Sequence, residues 1–420
     1  MANTNAQGKV PNVAQHGYAS FRTDVFGRIK VSEGFTLFDA SHRYSQNGDF
    51  SDYTSGTASA THVQEQSTAL LTVGTASGDK LYRETKKVFS YQPGKSLQIL
   101  QTFVFGAPKA NLRQRAGYFS IQNGFYLELN GTTVNLVKRD YTTGQIVETR
   151  IPQSQWNIDT LDGNGPSDIT LDLSKAQILF TEIEWLGVGS VRMGFAIDGY
   201  FIPVHQFNHA NNLDRVYMTT ASLPCRYEIE NTGVTTSSSS MKQICISIIS
   251  NGGYQKQSIS WTASRNTAVS VGTTYYPLVA IRLAAGREDS VILPANFAAL
   301  PTTEGNFIIS LIRNPASITE GTWSTHSNGN VEYNGSATSM TGGTVVGEYF
   351  LAGGSGPGGS GKSSAAVGLD INGIANFALQ IGRTNASSVG GPVSDVYVVA
   401  ARTVSGTGSL VASISWFDLL

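Results

Sequence analysis

From Phe35 onward the chain is written in short runs of β-branched and aromatic residues that alternate with polar ones and stop at glycine or asparagine. A period of two sustained over about four to eight residues predicts half-buried strands. The clearest case is FYLELNGTTVNLVKR (125–139), where two alternating runs meet at Asn130-Gly131. That dipeptide predicts a type I′ hairpin turn and hence an antiparallel pair. ILFTEIEWLGVGSVRMGFAIDGYFIPVHQF (178–207) holds three further runs, broken at Gly187-Val188-Gly189 and Asp198-Gly199, and predicts a meander. NTGVTTSSSS (231–240) interrupts the pattern before MKQICISIIS (241–250) resumes it, so it reads as a long loop inside a first domain.

Asn251-Gly252-Gly253 is a stronger break. Beyond it the strand-like runs start again at SISWTAS (258–264), YYPLVAIRL (275–283), NFIISLIR (306–313) and TVVGEYFL (344–351), and close with SDVYVVAAR (394–402) and SLVASISWF (409–417). No stretch keeps a helical period over a dozen residues. The expected fold is therefore all-β: an extended N-terminal arm (1–34), a jelly-roll-like antiparallel sandwich (35–253) and a smaller C-terminal sandwich (254–420). A chain of 420 residues is long enough for two such cores. The arm is polar and interrupted by Pro11, Gly17, Gly27 and Gly34, so it cannot build a core of its own and is expected to order against a neighbouring subunit or another protein.

Composition narrows the function classes. Charged residues make up 14% of the chain against 40% hydrophobic, with 45 glycines, a balance suited to packing and turns. The formal net charge of −1 gives no general attraction to nucleic acid or to an anionic surface, so no nucleic-acid partner is expected. Apolar runs fall far short of the ~20 residues a membrane helix needs, so no membrane insertion is expected. The first thirty residues hold no signal-type apolar stretch, which points to synthesis in a cytoplasm. Cys225 and Cys245 are too few for a disulfide framework and are expected to be buried thiols in strands.

Several motifs invite chemistry and fail on context. GPGGSGKS (356–363) matches the phosphate-loop pattern through Gly356, Gly361, Lys362 and Ser363, but the following SAAVGLDINGIANF is broken by glycines where a helix is required. It reads as a surface loop. TEIEWLG (181–187) resembles the alternating acidic strand of jelly-roll β-glucanases. Glu182 and Glu184 share a face, yet Phe180 and Leu186 stand where a third acid is needed, so the segment reads as a strand with a solvated acidic face. His205 and His209 have i, i+4 spacing, but the context is strand and loop, and polar turn contacts are expected. DTLDGNGPSD (159–168) offers oxygens to calcium but carries Pro166 at a ligand position. No G-x-S-x-G elbow is present. No catalytic residue, cofactor or metal ligand is therefore assigned. The 17 Tyr, 19 Phe and 5 Trp read mostly as core, with a sugar-stacking surface as the other use a jelly roll makes of them.

FRTDVFGRIKVSEGFTLFDASHRY (21–44), WLGVGSVRMGFAIDG (185–199), HQFNHANNL (205–213) and YMTTASLPCRYEIENTG (217–233) resemble segments of structural proteins of tailed, particularly marine, bacteriophages. The resemblance covers most of the first domain and implies a β-rich fold and a virion location, on tail, baseplate, fibre or capsid surface, with no catalytic residues to carry over. The projecting shape expected of two sandwiches in series favours a non-enzymatic component of tail, baseplate or fibre. Its expected partners are copies of itself, in a trimer or higher ring, and other virion proteins. The alternatives are a capsid-decoration or head-fibre protein, and a carbohydrate-binding module for a host-surface glycan.

Overall fold

A computed structural model of the chain describes residues 34–255, 258–327, 329–353, 365–368, 379–386 and 391–419. The phosphate-loop match at 356–363 and all but the last residue of the expected 1–34 arm lie outside the described residues. The chain divides into two compact units, 1–255 and 256–420. Both are built from antiparallel sheets, with only two short 3-10 turns, Gln64–Gln66 and Gln153–Gln155, among the described residues.

The strands of the first unit are β1 (Phe35–Ala40), β2 (Phe50–Ser55), β3 (Ser59–Val63), β4 (Thr68–Val73), β5 (Lys80–Thr85), β6 (Ser96–Val104), β7 (Leu112–Phe119), β8 (Gly124–Asn130), β9 (Thr133–Asp140), β10 (Val147–Pro152), β11 (Gln177–Ile183), β12 (Val191–Ile197), β13 (Tyr200–Phe207), β14 (Cys225–Asn231) and β15 (Ser239–Asn251). They form an eight-stranded sheet in the order β13-β12-β11-β6-β15-β4-β3, with β1 also on β15, and a seven-stranded sheet in the order β10-β9-β8-β7-β14-β5-β2. The last two strands enter the middle of the two sheets, β14 between β7 and β5, β15 between β6 and β4. Closure of the sandwich therefore waits on residues far apart in sequence.

Alternation explains which side chains meet between the sheets. Leu97, Ile99 and Phe103 of β6 and Ile246 and Ile248 of β15 are buried on one inner face, and Leu127 of β8 and Tyr227 and Ile229 of β14 on the other. Burial of each such side chain contributes about 1.5–3 kcal/mol. The expected meander is present as β11, β12 and β13, and 232–238 is the loop between β14 and β15.

Two local expectations need correction. The β8–β9 hairpin exists, but Asn130 pairs with Thr133, so the two turn residues are Gly131 and Thr132. Only Gly131 has positive φ, at 61°, whereas a type I′ turn needs two such residues. Glycine at the first central position is the type II′ arrangement. Cys225 is buried, but Cys245 is exposed. The β15–β6 register shifts between Gln243 and Ile246, and this bulge reverses the inward phase at Cys245.

The second unit comprises β16 (Ser260–Val271), β17 (Tyr276–Leu283), β18 (Val291–Pro301), β19 (Gly305–Arg313), β20 (Ser317–Thr319), β21 (Ser324–Thr325), β22 (Val331–Asn334), β23 (Ser339–Thr341), β24 (Thr344–Gly353), β25 (Ala365–Gly368), β26 (Arg383–Ala386), β27 (Gly391–Ser394), β28 (Val396–Thr403) and β29 (Gly408–Leu419). A four-stranded sheet, β16-β29-β18-β25, packs on a six-stranded one, β21-β22-β17-β28-β19-β24. Between them lies a core that includes Ile281, Phe297, Ile309, Leu311, Val399 and Trp416. A smaller apolar cluster, Ala280, Ile312, Met340, Val398 and Ala400, lies on the opposite face of the six-stranded sheet.

Candidate functional site

Period two has a second consequence in the seven-stranded sheet. If Tyr227 and Ile229 face the core, then Arg226, Glu228 and Glu230 face the other way, and the register carries that phase across the sheet. One row runs Tyr53–Tyr82–Glu228–Arg115–Glu128–Asn135 from β2 to β9. The next runs Ser51–Glu84–Arg226–Gly117–Tyr126–Val137–Arg150, ending on β10. Beyond it, Gly124 pairs with Arg139 and Arg139 with Glu148. Charges of opposite sign thus fall directly across from one another, the favourable cross-strand arrangement.

This face turns away from the hydrophobic core, yet it is buried: Glu128 is 0%, Glu228 1% and Arg226 3% exposed. Charges removed from water persist only when paired and hydrogen-bonded. Arg115 donates Nε to Glu128 at 2.9 Å and Nη1 to Glu228 at 3.0 Å, bridging the two carboxylates. Glu128 also accepts Arg150 Nε at 2.8 Å. Arg226 donates Nε and Nη2 to one oxygen of Glu84 at 2.9 and 2.6 Å. Glu148 accepts the Tyr126 hydroxyl at 2.8 Å, Arg139 Nη2 at 2.6 Å and Arg150. Lys80 stands 3.3 Å from Glu228.

Aromatic rings fill the spaces between the ion pairs. The Arg226 guanidinium lies 4.1 Å from the Tyr82 ring, and Arg139 lies 5.1 Å from that of Tyr126. Phe119 and Tyr126 pack at 4.4 Å between centroids. Gly117 makes this possible, because a Cβ there would come within 2.3 Å of the Phe125 carbonyl oxygen.

The electrostatics follow. Burial alone would raise the Glu228 carboxyl, but Arg115, Lys80 and Arg226 overcome it and hold the group well below the usual carboxylate range. Glu148, likewise raised by burial, is brought down to about 2 by the Tyr126 hydroxyl and by Arg139 and Arg115. Burial pushes the Tyr82 phenol up to about 12 against the opposing pull of Arg226. Glu148 and Glu228 are thus fixed as anions near neutral pH by the cations around them, and neither is poised to carry a proton there.

The residues singled out from sequence lie elsewhere. Glu182 sits in β11 of the eight-stranded sheet and takes Arg192 Nε of β12 at 2.9 Å; Glu184 lies beyond the strand, which ends at Ile183. Both are buried, so the expected solvated acidic face is not there. Cross-strand pairing with Arg192 is what makes burial of Glu182 tolerable. His205 Nδ1 accepts the Asn157 amide at 3.2 Å, and its ring packs on Phe207. His209 meets the Gly189 carbonyl at 2.7 Å through Nδ1 and stacks on Tyr217 at 3.9 Å. The two imidazoles are engaged separately. In the 159–168 loop, Asp159 accepts the Leu161 and Ser167 amides at 2.9 Å each, and Asp162 accepts that of Asn164, so these carboxylates close the loop on itself. Among the described residues no group of three His, Cys, Asp or Glu side chains is placed to hold a metal.

The lattice was not among the sequence candidates. Its signal is the in-phase alternation of acid, base and aromatic in KLYRET, LRQRAGYF and CRYEIEN.

No family model matches this chain, and no curated protein matches it in sequence. Solved structures do. The Emp47p carbohydrate recognition domain is 11% identical with a TM-score of 0.33, over 52% of this chain and 97% of that one. A Bacteroides ovatus mixed-linkage glucan GH16 protein in complex with product is 11% identical with a TM-score of 0.35, over 50% and 99%. The CBM2 module of the evolved Dit of Lactobacillus casei BL23 phage J-1 is 6% identical with a TM-score of 0.34, over 53% and 99%. No residue role is carried across from any of them.

Proposed function

We propose that this chain is a non-catalytic structural component of a tailed-phage virion, associated with tail, baseplate or fibre, in which the two sandwiches serve as rigid building blocks. The observation that carries the building-block reading is the Arg–Glu lattice. Acid–base hydrolysis of a glycoside needs one carboxyl kept protonated and aimed at a leaving group. Here Glu228 and Glu148 are clamped as anions by arginines on the same face. The virion placement is supported by the resemblance of 21–44, 185–199, 205–213 and 217–233 to phage structural proteins, and a ring of copies would cover the sheet edges.

Particles purified from the producing host test the reading by peptide mass spectrometry and cryo-electron microscopy. Density for this chain on the tail, baseplate or a fibre is expected, in a trimer or higher ring. Density on the capsid lattice would move the chain to the decoration or head-fibre class. Absence from the particle overturns the proposal. The arm is tested in the same particles: deleting residues 1–34 is expected to leave folding intact and abolish incorporation.

A further inference from the structure

We infer that the second unit carries a binding site for an acidic saccharide on the outer face of its six-stranded sheet. On that face Phe350 of β24 pairs with Ile308 of β19, and Ile308 with Arg402 of β28, so the three side chains stand in one row. Two strand spacings separate Phe350 from Arg402, about 10 Å. In the adjacent row Glu348 pairs with Ser310 and Ser310 with Ala400. Ile308 and Ala400 are buried and make an apolar floor, while Phe350 stands 73% exposed beside it.

The polar groups are arranged around that floor. Tyr275 donates its hydroxyl to Glu348 Oε2 at 2.8 Å, and Ser310 Oγ donates to the same oxygen at 2.9 Å. This leaves Oε1 of an exposed carboxylate free to accept hydroxyls. Arg402 lies over the Tyr275 ring at 5.2 Å, which orients its guanidinium, and it has no carboxylate within ion-pair distance among the described residues. The other arginines flanking this sheet differ: Arg282 is paired with Glu332 and Arg313 with Asp395.

An exposed aromatic face, a fixed acceptor and an oriented but unpaired guanidinium select one ligand chemistry. The apolar face of a sugar ring stacks on Phe350, a ring hydroxyl donates to Glu348, and a carboxylate on the sugar takes the two-pronged hydrogen bonds of Arg402. Neutral sugars satisfy only the first two contacts. Uronic and sialic acids both carry the required carboxylate, and the test separates them.

The full chain is titrated by calorimetry with a panel of uronic-acid and sialic-acid oligosaccharides and their carboxyl-reduced neutral counterparts. At least one acidic series is expected to bind, with the neutral counterpart at least about tenfold weaker. Phe350→Ala is expected to abolish binding without changing the thermal transition, since the ring is exposed. Arg402→Gln is expected to remove the preference for the acidic form, and Arg402→Lys to restore it only in part. Equal binding of acidic and neutral sugars, no binding of any, or a Phe350→Ala variant that titrates like the parent overturns the site. A change of native mass in Phe350→Ala with titration unaltered assigns the patch to contacts between copies and overturns it too.

Discussion

Arg83 of β5 donates Nε to Oε1 of Gln243 of β15 at 2.7 Å, joining the two sheets of the first unit through their interior across 160 positions of sequence. The same guanidinium reaches Asp52 at 2.6 Å. A charge this deep is tolerated because each of its sides is met by an acceptor. Gln243→Leu removes one acceptor and leaves a buried donor unmet. A loss of about 1–3 kcal/mol is expected in urea unfolding of the full chain. An unchanged midpoint would mean that water or another side chain replaces the amide.

Arg115 is the bridge of the outer lattice, and its removal takes a hydrogen-bonded cation from two buried carboxylates at once. Arg115→Met is expected to destabilise the first unit by about 3–5 kcal/mol, the range for breaking a buried ion pair from one side. Arg115→Lys keeps the charge but loses the fork, and is expected to fall between the two. A Met variant within about 1 kcal/mol of the parent would show that Glu128 and Glu228 rely on Arg150 and Lys80 instead.

Gly117 is required for a steric reason, independent of its backbone angle. Gly117→Ala places a Cβ against the backbone of Phe125 and Tyr126, where little can move. Overpacking of this kind costs about 1–3 kcal/mol, and a lowered thermal midpoint with a disturbed near-ultraviolet signal from Tyr126 is expected.

Acid sensitivity should come in two stages. Burial lowers His42, His205 and His209 from 6.5 to about 4, with Arg83 and His62 adding to the effect at His42. The unfolded chain therefore binds protons between pH 6.5 and 4 that the folded chain refuses, and stability falls as pH drops through that window. Glu148, held at about 2 against 4.5, contributes stability present above pH 4.5 and lost as pH falls towards 2. Thermal midpoints measured from pH 7 to 2 should decline across both windows, and His205→Gln should flatten the first. A midpoint that is level from pH 6.5 to 4 would contradict the burial of these imidazoles.

The strand content was open to reading because period two and glycine breaks are local properties. FYLELNGTTVNLVKR and the meander from 178 to 207 declare themselves from their own residues. The lattice did not, because its partners are long-range: Arg115 and Glu228 are 113 positions apart, Arg226 and Glu84 142. Nothing within CRYEIEN says which strands flank it. The same limit misled the reading of Glu182, where an alternating acid suggests a wet face until Arg192 is found across the ladder. The turn at Gly131 was misplaced by one residue for a subtler reason: Asn-Gly favours type I′, but the β8–β9 pairing already includes Asn130.

The bulge in β15 gives the molecule a built-in clock. Because it turns Cys245 outward while Cys225 stays sealed in β14, one sulfur is open to a thiol reagent in the native state and the other only after the first unit opens. Burial raises both thiols, Cys225 the more, so the reagent must be used at mildly alkaline pH. With reagent in enough excess that labelling outpaces reclosing, the lag between the first and second equivalents of label then reads the opening rate around Cys225, in a mixture that needs no added probe site.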